Sequence, residues 1–520
     1  MKRPHRIEAF AVAALLVVAG CRDILVERPQ SFTTTDTFYK TAADLNTAAL
    51  ATYAAFSGYE ARDVWCELDL ASDLARAEHR EPNYKTRSPD YLDFSPSNGK
   101  SDDFWDTGYA VITLANLLLE HAPGIQAKDT LLMQYNVGEA KLMRAFAYVD
   151  MAKAYGDVPL LLSVADQARL DVTRTPVEQV EQAAIKDMTD AEALLPTVWS
   201  STDGFGNPTQ GRLTKGAAQM ALADIYLWRS SFHQKNEWQL AATWAKKVID
   251  SGAWRLSDDY FSTFLPSNKG NREMIWVITN AGVSENSSSQ FQLFYYPRDW
   301  GANAGQGGGW GLMHPTDWFL ASYASGDYRA STCATRDSTH CGYITGGCSA
   351  SGQCVSPFGD GPMPWKYQNS DGGIDYRLMN VDVPLYRYSE AYLMYAEAEN
   401  ELGNAAEATN ALNVIRARAR KGTGAENRSS PADYNGSPDK LSLREAIFME
   451  RAWELAFEAK RWWDLIRRDG EEPGYWQKQL LTHDAADVLL ISPLTPNKMR
   501  FPIPSYAISA NPRLTQNPGY

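Results

Sequence analysis

Apolar residues recur at spacings of three and four along most of this chain, the mark of helices with one buried face. A helix is predicted over residues 105–119. In another, over 134–155, Leu142, Ala145, Val149 and Ala152 fall in one line. Gly156-Asp157-Val158-Pro159 ends it, because glycine relaxes the backbone and proline cannot continue a helix. Pro176 suits the start of the next helix, whose stripe is Val180, Ala184, Met188, Ala191 and Leu195. Helical pairs follow over 213–230 with 238–251, and over 385–402 with 405–420. In the last pair Tyr388, Ala391, Tyr395, Ala398 and Leu402 form one stripe, Gly403-Asn404 the turn, and Ala405, Ala408, Leu412, Ile415 and Ala419 the second stripe. One long helix is predicted over 442–468, with Phe448, Ala452, Leu455, Ala459, Trp462 and Ile466 in line. Alanines let helix axes approach and bulky residues fill the gaps, so paired stripes of this kind predict tetratricopeptide-like packing. The pairs are not contiguous. The expected fold is mainly α: about four interrupted helix pairs folded around other structure.

The interruption spans 262–383. Residues 273–279 read as a strand, since Ile275, Val277 and Ile278 favour extended backbone. A glycine-rich stretch from 301 to 311 follows, then a cluster of cysteines, with few helical stripes. An irregular, loop-rich insertion of this length is usually functional. It is also rich in aromatic residues, among them Trp318, Tyr323, Tyr343, Trp365 and Tyr367. The chain therefore divides into 1–20, a helical region over 21–261, the insertion over 262–383, and helical pairs over 384–520 with a proline-rich tail from 490 expected to wrap the scaffold.

The first twenty residues read as a signal peptide. Lys2, Arg3 and Arg6 precede a short apolar run that is too short to span a bilayer as a mature helix. The run ends in Val18-Ala19-Gly20-Cys21, small residues before a cysteine, which suits lipidation of Cys21 and anchorage of the mature chain by acyl chains. Losing three positive charges and one negative one takes the net charge from -13 to -15. That balance argues against nucleic acid and against adhesion to anionic lipid.

Cys333, Cys341, Cys348 and Cys354 crowd together, and Cys66 stands apart as an expected buried thiol. Disulfides are allowed after export, and the spacing does not resemble the paired Cys-x₂-Cys ligands of zinc sites. Two disulfides pinning a surface loop are expected, and three pairings remain open. No metal and no cofactor are expected.

Several segments carry a family resemblance. They are Trp105-x₃-Tyr109-x₂-Ile112-x₂-Ala115-Asn116; Arg144-Ala145-x₂-Tyr148 leading to Tyr155-Gly156-Asp157-Val158-Pro159-Leu160; Arg387-x₂-Glu390 with Tyr395-Ala396-Glu397-Ala398; Glu450-Arg451 with Glu454-Leu455-Ala456-Phe457-Glu458; Arg461-Trp462-Trp463-Asp464-Leu465-Ile466-Arg467; Pro502-Ile503-Pro504; and the closing Asn511-Pro512-x-Leu514-x-Gln516-Asn517-Pro518-Gly519-Tyr520. In this order they resemble the SusD/RagB family over nearly the whole mature chain. A glutamate commonly follows Pro-Ile-Pro in that family, and here Ala507 stands near its place. The resemblance implies a surface-exposed lipoprotein of the outer membrane that lids a SusC-like TonB-dependent transporter and captures an oligosaccharide, or in the RagB branch an oligopeptide. It implies a helical scaffold with a variable ligand-binding subdomain. The recurring motifs are read as structural. Arg451, Glu454, Glu458 and Arg461 are expected to knit an exposed charged helix face at ~0.3–0.5 kcal/mol per pair, and Trp462 and Trp463 to fill core and interface.

Sugars present apolar faces to flat rings and hydroxyls to amide, carboxylate or guanidinium groups. Two zones outside the stripes combine these groups, and they match by region the zones from which the family often draws ligand contacts. One holds Arg76, His79, Tyr84 and Tyr91, with Asn83. The other holds Tyr295, Tyr296, Arg298, Asp299, Trp300, Asn303 and Trp310. Trp300 and Trp310 stand out, because neighbouring glycines leave their faces uncovered. No His-Glu-x-x-His, Gly-x-Ser-x-Gly or Walker pattern occurs, and the glycines at 305–309 lack the Gly-Lys-Ser/Thr ending of a phosphate loop. The expectation is a binding protein and not an enzyme, although a converging carboxylate pair for glycoside hydrolysis stays open.

Overall fold

The computed structural model describes residues 35–520 apart from 61–67, 78–87, 98–99, 127–129, 170, 207, 281–293, 296–310, 334–340, 346, 349–353, 356–361, 368–379, 423–428 and 484–493. The long helices are α1 (Ala42–Glu60), α2 (Lys100–His121), α3 (Thr130–Tyr155), α4 (Val177–Leu194), α5 (Lys215–Ser231), α6 (Trp238–Asp250), α7 (Tyr388–Leu402), α8 (Ala405–Ala419), α9 (Lys440–Glu454), α10 (Arg461–Asp469) and α11 (Tyr475–His483). Helix α3 packs on α4, α5 on α6 and α7 on α8, while α6 meets α7, so pairs from either side of the insertion form one scaffold. The architecture is the mainly α, tetratricopeptide-like one that the stripes predict. Ala217, Ala218 and Ala221 on α5 and Ala241, Ala242 and Ala245 on α6 are buried and let those helices approach, with Trp228 filling the space beside them. Helix α3 stops at Gly156, with φ +76°, and α7 at Gly403, with φ +88°, backbone that residues with a Cβ rarely adopt.

The insertion is tied at both ends. Strand β2 (Met274–Ile278) pairs antiparallel with β9 (Val383–Arg387). Earlier in the chain, β1 (Ala75–Ala77) pairs antiparallel with β3 (Met313–Pro315). Strands β4 (Thr332–Cys333), β5 (Tyr343–Thr345) and β8 (Pro362–Pro364) form a small sheet, and β6 (Gly347–Cys348) pairs with β7 (Cys354–Val355). Phe56, Trp276, Tyr343, Trp462 and Phe501 belong to one hydrophobic core, so insertion and scaffold share an interior. Tyr323, Tyr343, Trp365 and Tyr367 are buried in the structure and are not ligand surface. The tail lies on the end of α3: Phe501 N–H donates to the Ala154 carbonyl at 2.8 Å, and Asn517 Nδ2 to that of Tyr155 at 2.9 Å.

Two expectations need correction. Residues 385–387, expected to open a helix, are strand, because they belong to β9 and pair with β2. The helix predicted over 442–468 is also broken: α9 ends at Glu454, Phe457 (φ +59°) and Ala459 (φ +57°) turn the chain, and α10 begins at Arg461. The carbonyls freed there are satisfied by side chains. Arg387 Nη2 and the Tyr260 hydroxyl donate to Glu454 O at 2.9 and 3.0 Å, Lys366 Nζ to Ala456 O at 3.0 Å, and the Tyr367 hydroxyl to Phe457 O at 2.7 Å.

The break turns charge inward. Arg451, Glu454, Glu458 and Arg461 are buried, not an exposed helix face. Glu454 receives Arg387 Nη1 at 3.0 Å, Arg329 Nη1 at 3.2 Å and the Arg418 guanidinium. Glu458 receives Arg387 through Nε at 2.8 Å and Nη2 at 2.7 Å, and also the Lys366 ammonium. Burial alone would raise the Glu454 carboxyl; Arg418, Arg387 and Arg329 outweigh it and hold it at about 2.

Candidate functional site

A short ribbon, β1–β3, lies at the described edges of the two zones that hold the candidate residues. Ala75 lies opposite Pro315, Arg76 opposite His314, and Ala77 opposite Met313. The pairing is antiparallel, so the chain leaves β1 at Ala77 and enters β3 at Met313 at the same end of the ribbon. The described flanks are tied there. The Ala77 N–H donates to Asp90 Oδ2 at 3.1 Å. The Leu312 N–H donates to the Phe294 carbonyl at 2.9 Å. A short helix, Asp317–Ser322, follows β3 and is capped by Thr316, whose hydroxyl accepts from Phe319 N–H at 3.2 Å.

The ribbon is fastened to the scaffold by charge. Asp73, just before β1, accepts from Arg461 of α10 through Nε at 2.7 Å and Nη2 at 2.8 Å. His483, the last residue of α11, hydrogen-bonds Asp73 Oδ2 at 2.9 Å, and its ring stacks on Trp318 with centroids 3.4 Å apart. Burial works against the Asp73 carboxylate, but Arg461 and His483 hold it down at about 2. These partners lie 388 and 410 residues from Asp73 in sequence, which is why no local pattern announces them.

Of the candidates, Arg76 sits in β1 and is part-exposed; its Nη2 lies 3.5 Å from Asp317 Oδ1. Tyr91 is half-buried, next to the turn that closes the first segment. Tyr295 is placed differently from expectation. It is 1% exposed, its ring packs near Tyr367 and Phe457, and its hydroxyl donates to Asp69 Oδ2 at 3.1 Å. A ring enclosed in this way offers no face to a ligand, so Tyr295 is a core residue and not a ligand contact. His79, Tyr84, Tyr296, Arg298, Asp299, Trp300, Asn303 and Trp310, together with Cys21 and Cys66, lie outside the described residues. Cys341 is buried and disulfide-bonded. Cys348 stands opposite Cys354 across the β6–β7 pair, and Cys333 ends β4.

Asp69 is a residue that sequence reasoning missed. Burial pushes its carboxyl up to about 8, against hydrogen bonds from Tyr295 and the Ala459 N–H. A carboxyl with its folded pKa raised above the usual 3.8 opposes folding progressively as pH climbs between the two values. Asp69→Asn keeps the acceptor for Tyr295 and removes the titration. The melting temperature of the wild type, relative to this variant, is therefore expected to fall as pH is raised through that window and to level off above it. Paired thermal melts across the range test this; a flat difference would mean that the carboxyl is ionised in the fold.

Residues 37–227 match a family described as "Starch-binding associating with outer membrane", and residues 358–520 match the SusD family. A SusD-like protein, P2, of Formosa agariphila is 29% identical over 481 residues, covering 88% of this chain and 89% of its own. A SusD superfamily protein from Parabacteroides distasonis superposes with a TM-score of 0.74 at 23% identity, over 94% of this chain and 100% of its own. A laminarin-binding SusD-like protein does so with a TM-score of 0.72 at 21% identity, over 93% of this chain and 100% of its own. The two matched segments together span well over half the sequence, in the same order as the motifs that suggested the resemblance, and the chain belongs to the SusD/RagB family.

Proposed function

We propose that this chain is a surface-exposed lipoprotein of the outer membrane, anchored through Cys21, that binds an oligosaccharide and passes it to a SusC-like TonB-dependent transporter. The observation that carries the reading is the antiparallel pairing of Ala75–Ala77 with Met313–Pro315, which joins the described flanks of the two candidate stretches. In sequence those stretches carry rings for sugar faces and polar groups for hydroxyls: His79 and Tyr84 with Arg76 and Tyr91, and Tyr296, Arg298, Asp299, Trp300, Asn303 and Trp310. The outer-membrane family description and the laminarin-binding neighbour support the same ligand class and location. Among the described residues no helix is long and apolar enough to cross a membrane. Binding without catalysis is favoured because the densest group of carboxylates, Glu273, Glu450, Glu454 and Glu458, is buried and neutralised by arginines and lysine, out of reach of a substrate.

The test is a binding screen of residues 22–520 against plant and microbial glycans, with mixed oligopeptides alongside. Glycan binding is expected, weakened at least about tenfold by Trp300→Ala and by Trp310→Ala. Binding of peptides alone would replace the ligand class, and glycan binding indifferent to both tryptophans would move the site.

A further inference from the structure

A second cleft, of about 740 Å³, lies away from the β1–β3 ribbon. Its walls are the connection between α4 and α5, the turn after α6, and the approach to β2 with part of that strand. Two tryptophans line it, and both are held in place. Trp199 donates its Nε1–H to the Leu213 carbonyl at 2.8 Å and sets an edge against Tyr135 with centroids 4.9 Å apart. The Arg212 guanidinium lies over the Trp199 ring, 4.5 Å from its centroid, and both residues line the cleft. Arg212 is itself fixed by Glu139 at 2.8 Å and Asn136 at 2.7 Å. Trp254 seats against Gly216 of α5 so closely that a Cβ there would stand 2.6 Å from its Nε1. Rings fixed before binding lose no rotamer freedom on meeting a ligand, and that favours stacking.

The polar groups are also available. Thr214 precedes the first turn of α5, where a threonine hydroxyl ordinarily bonds back to the helix N–H groups. Here it makes no such bond. The residue is only 7% exposed and its Oγ1 has no partner. Gln210 is exposed at the rim and makes no side-chain hydrogen bond among the described residues. The charges in the wall are all of one sign: Arg212, Lys269 and Arg272 contribute, with no aspartate or glutamate. Arg212 is balanced by Glu139 and Asp203, and Lys269 by Asp382. Arg272 braces the Ala253 carbonyl through Nε at 2.8 Å and meets no carboxylate among the described residues. The α5 N-terminus adds partial positive charge. A carboxylate-free wall in a chain of net charge -13 selects for a ligand that brings the negative group itself.

We propose that this cleft is a second saccharide site, taking a segment that bears a carboxylate or sulfate group. Trp199 and Trp254 supply the stacking faces, Gln210 and Thr214 the hydroxyl partners, and Arg272 the anion partner. The proposal rests on the reading above for the class of ligand and not for the place.

Residues 22–520 would be titrated with oligogalacturonate, with a sulfated galactan oligosaccharide, and with a neutral laminari-oligosaccharide of equal length. Val198 is 68% exposed in the same wall, so Val198→Glu sets a repelling carboxylate at the mouth without removing a buried contact. Arg272→Gln removes the cation, and thermal melts report whether the turn it braces is kept. The acidic saccharides are expected to bind about tenfold more weakly to both variants, with the neutral one unchanged and with Trp300→Ala/Trp310→Ala leaving the acidic binding in place. Which acidic probe responds identifies carboxylate or sulfate. Acidic binding indifferent to Val198→Glu and Arg272→Gln, or abolished by the two loop tryptophan substitutions, overturns the cleft and leaves the proposed function standing. No saccharide binding at all overturns both. Saturation by acidic oligopeptides alone, sensitive to Val198→Glu, overturns the saccharide and makes the occupant a protein segment.

Discussion

Replacing Arg387 by methionine is expected to destabilise the chain by about 3–5 kcal/mol, the cost of leaving a buried ion cluster with one partner missing. Arg387 is wholly buried at the end of β9. Its Nη1 donates to Glu273 at 2.7 Å and to Glu454 at 3.0 Å, and its Nη2 and Nε to Glu458 at 2.7 and 2.8 Å. Methionine fills the volume but leaves three carboxylates sharing fewer cations, and their burial keeps bulk solvent from screening them. A lysine should rescue little, because one ammonium cannot reproduce the planar fork that reaches all three. Urea unfolding of the wild type, Arg387→Met and Arg387→Lys measures this. A loss under about 1 kcal/mol for the methionine variant would mean that water or a rearranged arginine takes over the cluster.

A comparable loss, about 3 kcal/mol or more, is expected for Gly342→Ala, from forced overpacking. A Cβ at Gly342 would lie 1.8 Å from the Arg329 carbonyl oxygen, and that neighbour is backbone. The glycine is pinned on both sides: its N–H donates to the Ser331 carbonyl at 2.9 Å, and its own carbonyl accepts from Trp365 N–H at 2.7 Å. Relief must therefore come from moving Arg329, whose guanidinium bridges Asp327 at 2.8 Å and Glu450 at 2.7 Å. The local clash reaches the same buried cluster that Arg387 completes. Gly124→Ala is the control, since nothing lies within 4 Å of its Cβ position; it should stay within about 0.5 kcal/mol of wild type. Equal melting temperatures for the two glycine variants would refute the argument.

The scaffold was legible in the sequence because alanine and bulky residues at helical spacing record which faces meet. Ala391, Ala398, Ala408, Leu412 and Ile415 are all buried as the stripes require. The charge cluster was not legible. Arg451, Glu454, Glu458 and Arg461 have the spacing of an exposed charged face, but in the fold Glu454, Glu458 and Arg461 meet Arg387, Arg329, Lys366 and Asp73, and Arg451 meets Glu390 and Asp464. The ends of helices were readable where glycine marks them, as at Gly156 and Gly403. They were unreadable at 455–459, where side chains satisfy the broken turn. Tyr295 looked like part of a binding cluster because of its neighbours in sequence, and its real partner, Asp69, lies 226 residues away. The pairing of β1 with β3 rests on strands of three residues, too short for any alternation to show.

The β1–β3 ribbon is locked only by residues from near the other end of the chain. Asp73 waits for Arg461 and His483, 388 and 410 residues further on, so a chain still being made cannot complete the lock. Synthesis must pass α10 and α11 before this buried carboxylate gains its partners, and a product truncated ahead of them is left with an unpaired charge in its interior.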